Sequence, residues 1–278
     1  MSLIHDDITK RPDDFDPSRY PSDERMISYY DEFAVALVNV AADYILKLRK
    51  RIPDLNRHTI SDDEAFVCWA YYLSMLGLEA NWSVVQLIRA NAVHIAYGIT
   101  RSLFEYLTKL EYYAQRKDQA RVAYASIGER VLYHGNNYNN LSSEMIEEMR
   151  RHQRLWKSNE PTSSFKVLLN FTSALQTVAP ENAKRLLTEF YETPSGFVHG
   201  SGHTMPDILG RSSMADSTYS PNKTQSDACL HFLCMLSVLR DEFPSVFRQD
   251  DSLDEYFAKY VELAGDHILW KDVVEGFD

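Results

Sequence analysis

Residues 61–88, SDDEAFVCWAYYLSMLGLEANWSVVQLI, and residues 92–116, AVHIAYGITRSLFEYLTKLEYYAQR, decide the fold. The first opens on Ser61-Asp62-Asp63-Glu64, where the serine oxygen and the glutamate carboxylate can each accept from the other residue's exposed backbone N–H. Apolar residues then recur at helical spacing toward Ile88. Arg89-Ala90-Asn91 predicts a break, and a second long helix runs from there to about Arg116. Two long amphipathic helices joined by so short a connection must lie antiparallel.

The same periodicity extends in both directions. It predicts helices over about 23–50, ending before Ile52-Pro53, and over about 118–135, 141–157, 163–178 and 180–192, the last with Pro180 in its first turn. Asn136 to Asn140 is a polar turn, and two closing helices follow at about 224–243 and 252–269, separated by Pro244. No stretch alternates with the period of two that a half-buried strand requires. The expectation is an all-α protein: an acidic arm at 1–22, then one multi-helix bundle of eight to nine helices over 23–278. A loop rich in Ser, Pro and Gly interrupts it at about 204–223.

Composition narrows the function classes. Of 278 residues, 40 are acidic and 29 basic, a formal charge of −11. Such an anion is repelled by nucleic acid, so sequence-independent coating of DNA or RNA is disfavoured. The richest basic segments, Lys47 to Arg51 and Arg150 to Lys157, read as solvated helix ends. The best apolar run, Phe33 to Leu48, is broken by Asn39, Asp43 and Lys47, so no membrane partner is expected. The first 25 residues are too acidic and proline-rich for a targeting peptide, which points to a cytoplasmic protein. Cys68, Cys229 and Cys234 match no zinc or redox spacing, and neither H-E-x-x-H nor Glu-x-x-His occurs. No metal and no other cofactor is expected. The pairs Tyr29-Tyr30, Tyr71-Tyr72 and Tyr112-Tyr113 read as core and helix-interface residues that would also suit a homo-oligomer face.

One polar constellation stands out. In the helix over 92–116, His94, Gly98, Arg101, Glu105, Thr108 and Tyr112 follow at intervals of four and three, which places them on one stripe between apolar flanks. Burying Arg101 alone would be very costly, so it should pair with Glu105 one turn away and with a second helix. Tyr191, Ser195, His199 and His203 recur every four residues and align if the chain stays helical past Pro194.

These two elements resemble a bacterial family of all-helical proteins of unknown function. Arg101-Ser102-Leu103-Phe104-Glu105 looks like that family's R-x-x-x-E helix, and Tyr191-x-x-x-Ser195-x-x-x-His199-Gly200-Ser201 like its later Y-x-x-x-S-x-x-x-H-G element. The likeness runs from about Asp62 to His203. Some members of the family are similar to the HEPN superfamily of helical ribonucleases and nucleotide-binding bundles, which implies a HEPN-like core. The HEPN signature, Arg followed by four to six residues and His, occurs at Arg89–His94 and Arg51–His58. With 18 Arg and nine His, about 1.7 matches arise by chance, so these two carry no weight.

The chemistry open to the constellation is metal-independent RNA cleavage, in which a neutral imidazole takes the 2′-hydroxyl proton and a guanidinium stabilises charge on the phosphorane. His199 would be the base, His203 or His94 the acid, and Arg101 the phosphate ligand. Glu105 would hold Arg101, while Tyr191 and Ser195 would donate to phosphate oxygens. That assignment makes the protein a helical effector of a bacterial defence or stress system, with RNA as partner. Two other readings stay open: a scaffold or binding protein whose Arg/Glu/His cluster is structural, and a sensor of a small anionic ligand. Ser195 is no hydrolase nucleophile, because it lacks the strand–turn–helix elbow, and no phosphate-binding glycine loop occurs.

Overall fold

A computed structural model of the chain describes residues 24–53, 60–121, 123–124, 171–192, 194–195, 221–247 and 252–264. These are almost wholly helical, and no strand occurs among them. The helices are α1 (Glu24–Arg49), α2 (Asp62–Arg89), α3 (Val93–Gln115), α4 (Phe171–Val178), α5 (Ala183–Leu187), α6 (Pro221–Glu242), α7 (Pro244–Phe247) and α8 (Ser252–Ala264). A π-helical turn, Thr188–Glu192, continues α5. The acidic arm and the segments around 141–157 and 204–220 lie outside the described residues.

The α2–α3 hairpin forms as the sequence dictates. Ser61 Oγ accepts from the Glu64 N–H at 3.2 Å, and Glu64 Oε2 accepts from the Ser61 N–H at 2.9 Å. At the other end Asn91 takes a left-handed conformation, φ 61°. The Ala92 N–H then reaches Leu87 O and the Asn91 N–H reaches Ile88 O. This is the Schellman geometry that satisfies the last carbonyls of a helix, with asparagine in place of the usual glycine. The turn lets α3 fold straight back onto α2.

α6 packs across this hairpin, against α2, α3 and α1. Its facing residues Phe232, Leu233, Met235 and Leu236 join Phe33 and Leu37 of α1, Phe66 and Leu73 of α2 and Phe104 and Leu107 of α3 in one core. Each such side chain contributes about 1.5–3 kcal/mol of burial energy, and together they offset the ordering of the chain. Beside the helix ends, Phe66 stacks on Phe243, and Tyr44 meets Phe247 edge-on. Trp69 Nε1 donates to Ala120 O, which ties the helical turn beyond Arg116 back to α2. Tyr30, Tyr112 and Tyr113 are core residues, whereas Tyr72 is exposed.

At Gly77 α2 lies close against α6. A Cβ there would lie 2.9 Å from Met235 Cε and 3.3 Å from Phe232 Cδ2. In an exposed helix Gly→Ala would gain about 1 kcal/mol, but overpacking a filled core costs about 1–3 kcal/mol. Met235 Cε is the free end of a flexible side chain and can yield. Gly77→Ala is therefore expected to change stability by less than about 1 kcal/mol in denaturant unfolding, and a loss above about 2 kcal/mol would show that Met235 is locked in place.

Two boundaries differ from the sequence reading. α6 begins at Pro221, so residues 221–223 belong to the helix and not to the loop expected over 204–223. Proline at the first helical position loses no hydrogen bond, and its fixed φ is already helical. Residues 180–182 form a turn before α5, so Pro180 precedes that helix and does not sit in its first turn. Asn182 has no side-chain hydrogen bond to the helix it precedes.

Candidate functional site

α3 carries the first half of the constellation. Its apolar face (Leu103, Phe104, Leu107, Leu110) is fully buried and fixes the rotation of the helix, which leaves Arg101 and Glu105 at the boundary between core and surface. Their side chains are 16% and 22% exposed, and Arg101 Nη2 lies 3.1 Å from Glu105 Oε1. Lys109 Nζ stands 3.7 Å from the second oxygen of Glu105. Two cations thus flank one carboxylate.

The second half arrives through the π-helical turn. A π turn adds a residue to the helical repeat and changes the direction of the side chains that follow. Here consecutive residues face different partners. Phe190 is buried against Phe104 at 5.4 Å between ring centroids, while Tyr191 reaches Arg101. Arg101 Nη2 donates to the Tyr191 hydroxyl at 2.9 Å, and the guanidinium carbon lies 4.3 Å from the Tyr191 ring centroid. Phe171 of α4 stacks on the same ring at 4.5 Å, with planes 16° apart. Both faces of Tyr191 are thus taken, one by a cation and one by an aromatic. The ring is a fixed support for the guanidinium and not a free platform for a base.

The helical path resumes at residues 194–195, and Ser195 Oγ donates to the Tyr191 carbonyl. The serine hydroxyl thus bonds back to the carbonyl one turn earlier on its own chain, as Ser and Thr in helices do.

The structure thus brings Arg101, Glu105, Tyr191 and Ser195 into one linked group. His94 sits half-buried in the first turn of α3, seven residues and about 10 Å along the axis from Arg101. His199 and His203 lie outside the described residues. Arg89 is consumed elsewhere: it grips Asp31 of α1 through two hydrogen bonds of 2.9 and 2.8 Å. The turn at 90–92 separates it from His94, so the two do not share a helix. Arg51 donates to Ser245 Oγ of α7, and His58 lies outside the described residues.

The chain matches no family model, no curated protein and no solved structure.

Three participants escaped the sequence reading. Lys109 was visible in principle, one turn beyond Glu105. Phe171 gave no signal, because its role depends on how α4 packs on α3. His231 interrupts the apolar run Leu230-His231-Phe232-Leu233, and it lies buried against Phe104 and Phe190, the latter the residue before Tyr191. Among the described residues no group of three or more metal-ligating side chains occurs, and no helix is long and apolar enough to cross a membrane.

Proposed function

We propose that the Arg101 centre binds the phosphodiester of RNA and that the protein is a metal-independent ribonuclease, a helical effector of a bacterial defence or stress system acting in the cytoplasm. The observation that carries this reading is the guanidinium itself. Glu105 and Tyr191 hold it in place, it is still in part open to solvent, and Lys109 stands beside it. A guanidinium orients on a phosphate through paired N–H donors, and one fixed before substrate arrives loses less entropy on binding. Ser195 follows Tyr191 by one helical repeat, and His199 follows Ser195 by the same interval. An imidazole there would take the 2′-hydroxyl proton, with His203 or His94 returning a proton to the leaving oxygen.

A second reading has a specific observation behind it: Glu105 and the Tyr191 hydroxyl already share Nη2 of Arg101. On that reading the cluster clamps α3 to the π turn and does no chemistry. Expression of wild type beside His199→Ala, scoring growth and total RNA, separates the two. The ribonuclease reading predicts slowed growth and fragmented RNA for wild type, and normal growth with intact RNA for a variant that melts within a few degrees of it. Intact RNA and equal growth in both would leave the clamp.

A further inference from the structure

We propose that His231 of α6 is a positioning residue for the Arg101–Tyr191 pair, its imidazole seating the π-helical turn against α3. The inference rests on the reading of that pair as the functional centre. His231 is 2% exposed. Its ring stands perpendicular to Phe190 at 4.8 Å and lies tilted over Phe104 at 5.2 Å. Phe190 is the residue before Tyr191, and Thr100, whose backbone the imidazole also contacts, is the residue before Arg101. One side chain thus touches the immediate neighbour of each member of the pair.

The chemistry of the residue supports a role beyond filling space. Neither ring nitrogen makes a hydrogen bond of full geometry, so the Thr100 contact is a weak one. Leaving a buried polar group so poorly partnered costs about 1–3 kcal/mol, which an apolar side chain would avoid. The ring is also held uncharged. Burial lowers its pKa from 6.5 to about 3, the Lys223 ammonium adds to that, and the Thr100 backbone pulls weakly the other way. Lys223 itself lies 3.9 Å from Glu189 of the π turn and 3.1 Å from Asp227. What the imidazole offers in return is a small flat ring, able to meet one aromatic on its edge and another on its face in a space bounded by two helices.

The test uses the full chain with 3-fluorotyrosine placed at position 191, whose fluorine resonance reports the guanidinium above the ring. Arg101→Ala sets the resonance position of an unpaired Tyr191. His231→Leu and His231→Met, which remove the ring but keep the site apolar, are expected to move the resonance toward that position. His231→Phe, which keeps a flat ring, is expected to hold it near wild type. Leu236→Ala, a core truncation elsewhere on α6, should lower Tm and leave the resonance in place. Should one of the two ringless variants fail to fold, the other decides. A wild-type resonance in His231→Leu or His231→Met overturns the proposal, as does a His231→Phe resonance displaced as far as theirs. RNA cleavage is scored separately: its absence in wild type refutes the ribonuclease reading and leaves the resonance test standing.

Discussion

Asp31→Ala is expected to destabilise the protein by about 3–5 kcal/mol, the range found when one member of a buried ion pair is removed. Asp31 and Arg89 join α1 to the last turn of α2 through two parallel hydrogen bonds, with side chains 15% and 5% exposed. The third guanidinium nitrogen, Nη1, is buried without a hydrogen-bond partner, and the Trp82 ring lies 5.8 Å from the guanidinium carbon. Deleting the carboxylate would leave a buried positive charge with no compensation. The loss should therefore far exceed the roughly 0–1 kcal/mol of a surface pair. Replacing both partners with apolar residues, Asp31→Leu with Arg89→Met, should recover most of it, because the cost lies in the orphaned charge and not in the missing attraction. Urea unfolding of the three proteins decides the matter. A loss below about 1 kcal/mol for Asp31→Ala would mean that water reaches the guanidinium. The pair also serves the site, since it fixes the end of α2 immediately before the turn that launches α3.

The second large effect depends on pH. Glu111, on the face of α3 that meets α6, has a carboxyl oxygen buried without a partner, and burial alone lifts its pKa from 4.5 to about 7. In the unfolded chain the group ionises at the ordinary value. The folded protein therefore holds the proton more tightly between pH 4.5 and 7, and stability falls as pH rises through that interval. Above pH 7 the full penalty is about 3 kcal/mol, at about 1.4 kcal/mol for each pH unit between the two values. Glu111→Gln keeps the shape and removes the charge. It should stabilise the protein by up to about 3 kcal/mol at pH 8 and by little at pH 4.5.

His231 works in the opposite sense. Its ring stays neutral in the fold down to about pH 3, whereas the unfolded chain takes up a proton below 6.5. Its contribution is intact above pH 6.5 and is lost as the solution is acidified, by about 2 kcal/mol at pH 5. Between pH 6.5 and 4.5 the two groups offset one another, and wild-type stability should change little. Glu111→Gln should then expose the acid loss due to His231, and His231→Leu should expose the acid gain due to Glu111. Parallel stability curves for wild type and Glu111→Gln across pH 4.5–8 would show that Glu111 does not titrate in the fold as its burial requires.

Much of the architecture was legible in local patterns. The Ser61 cap, the break near Asn91 and the stops before Pro53 and Pro244 are short-range events, written in residues next to one another. The Arg101–Glu105 pair was legible for the same reason, since one helical turn is a local distance. That Arg101 would also need a partner from another helix followed from the cost of burying a guanidinium, and Tyr191 is that partner. What escaped depends on tertiary placement. The π turn is a change of helical register that no residue in Thr188–Glu192 announces. Phe171 reaches Tyr191 only because α4 packs on α3. His231 reads as an isolated polar residue in a core helix until Phe104 and Phe190 are placed around it. The start of α6 was read three residues late because Asn222, Lys223 and Thr224 form its first turn without any apolar side chain.

The most direct measurement is the cleavage of a short labelled RNA by purified protein in EDTA, with a 2′-deoxy strand of the same sequence alongside. The account predicts that wild type cuts the RNA to fragments ending in 2′,3′-cyclic phosphate and leaves the 2′-deoxy strand whole. Arg101→Ala and His199→Ala should each lose at least about 100-fold in rate, the size expected when a charge-stabilising group or a general base is removed. Wild-type protein that cuts neither strand, or cuts both equally, would contradict it.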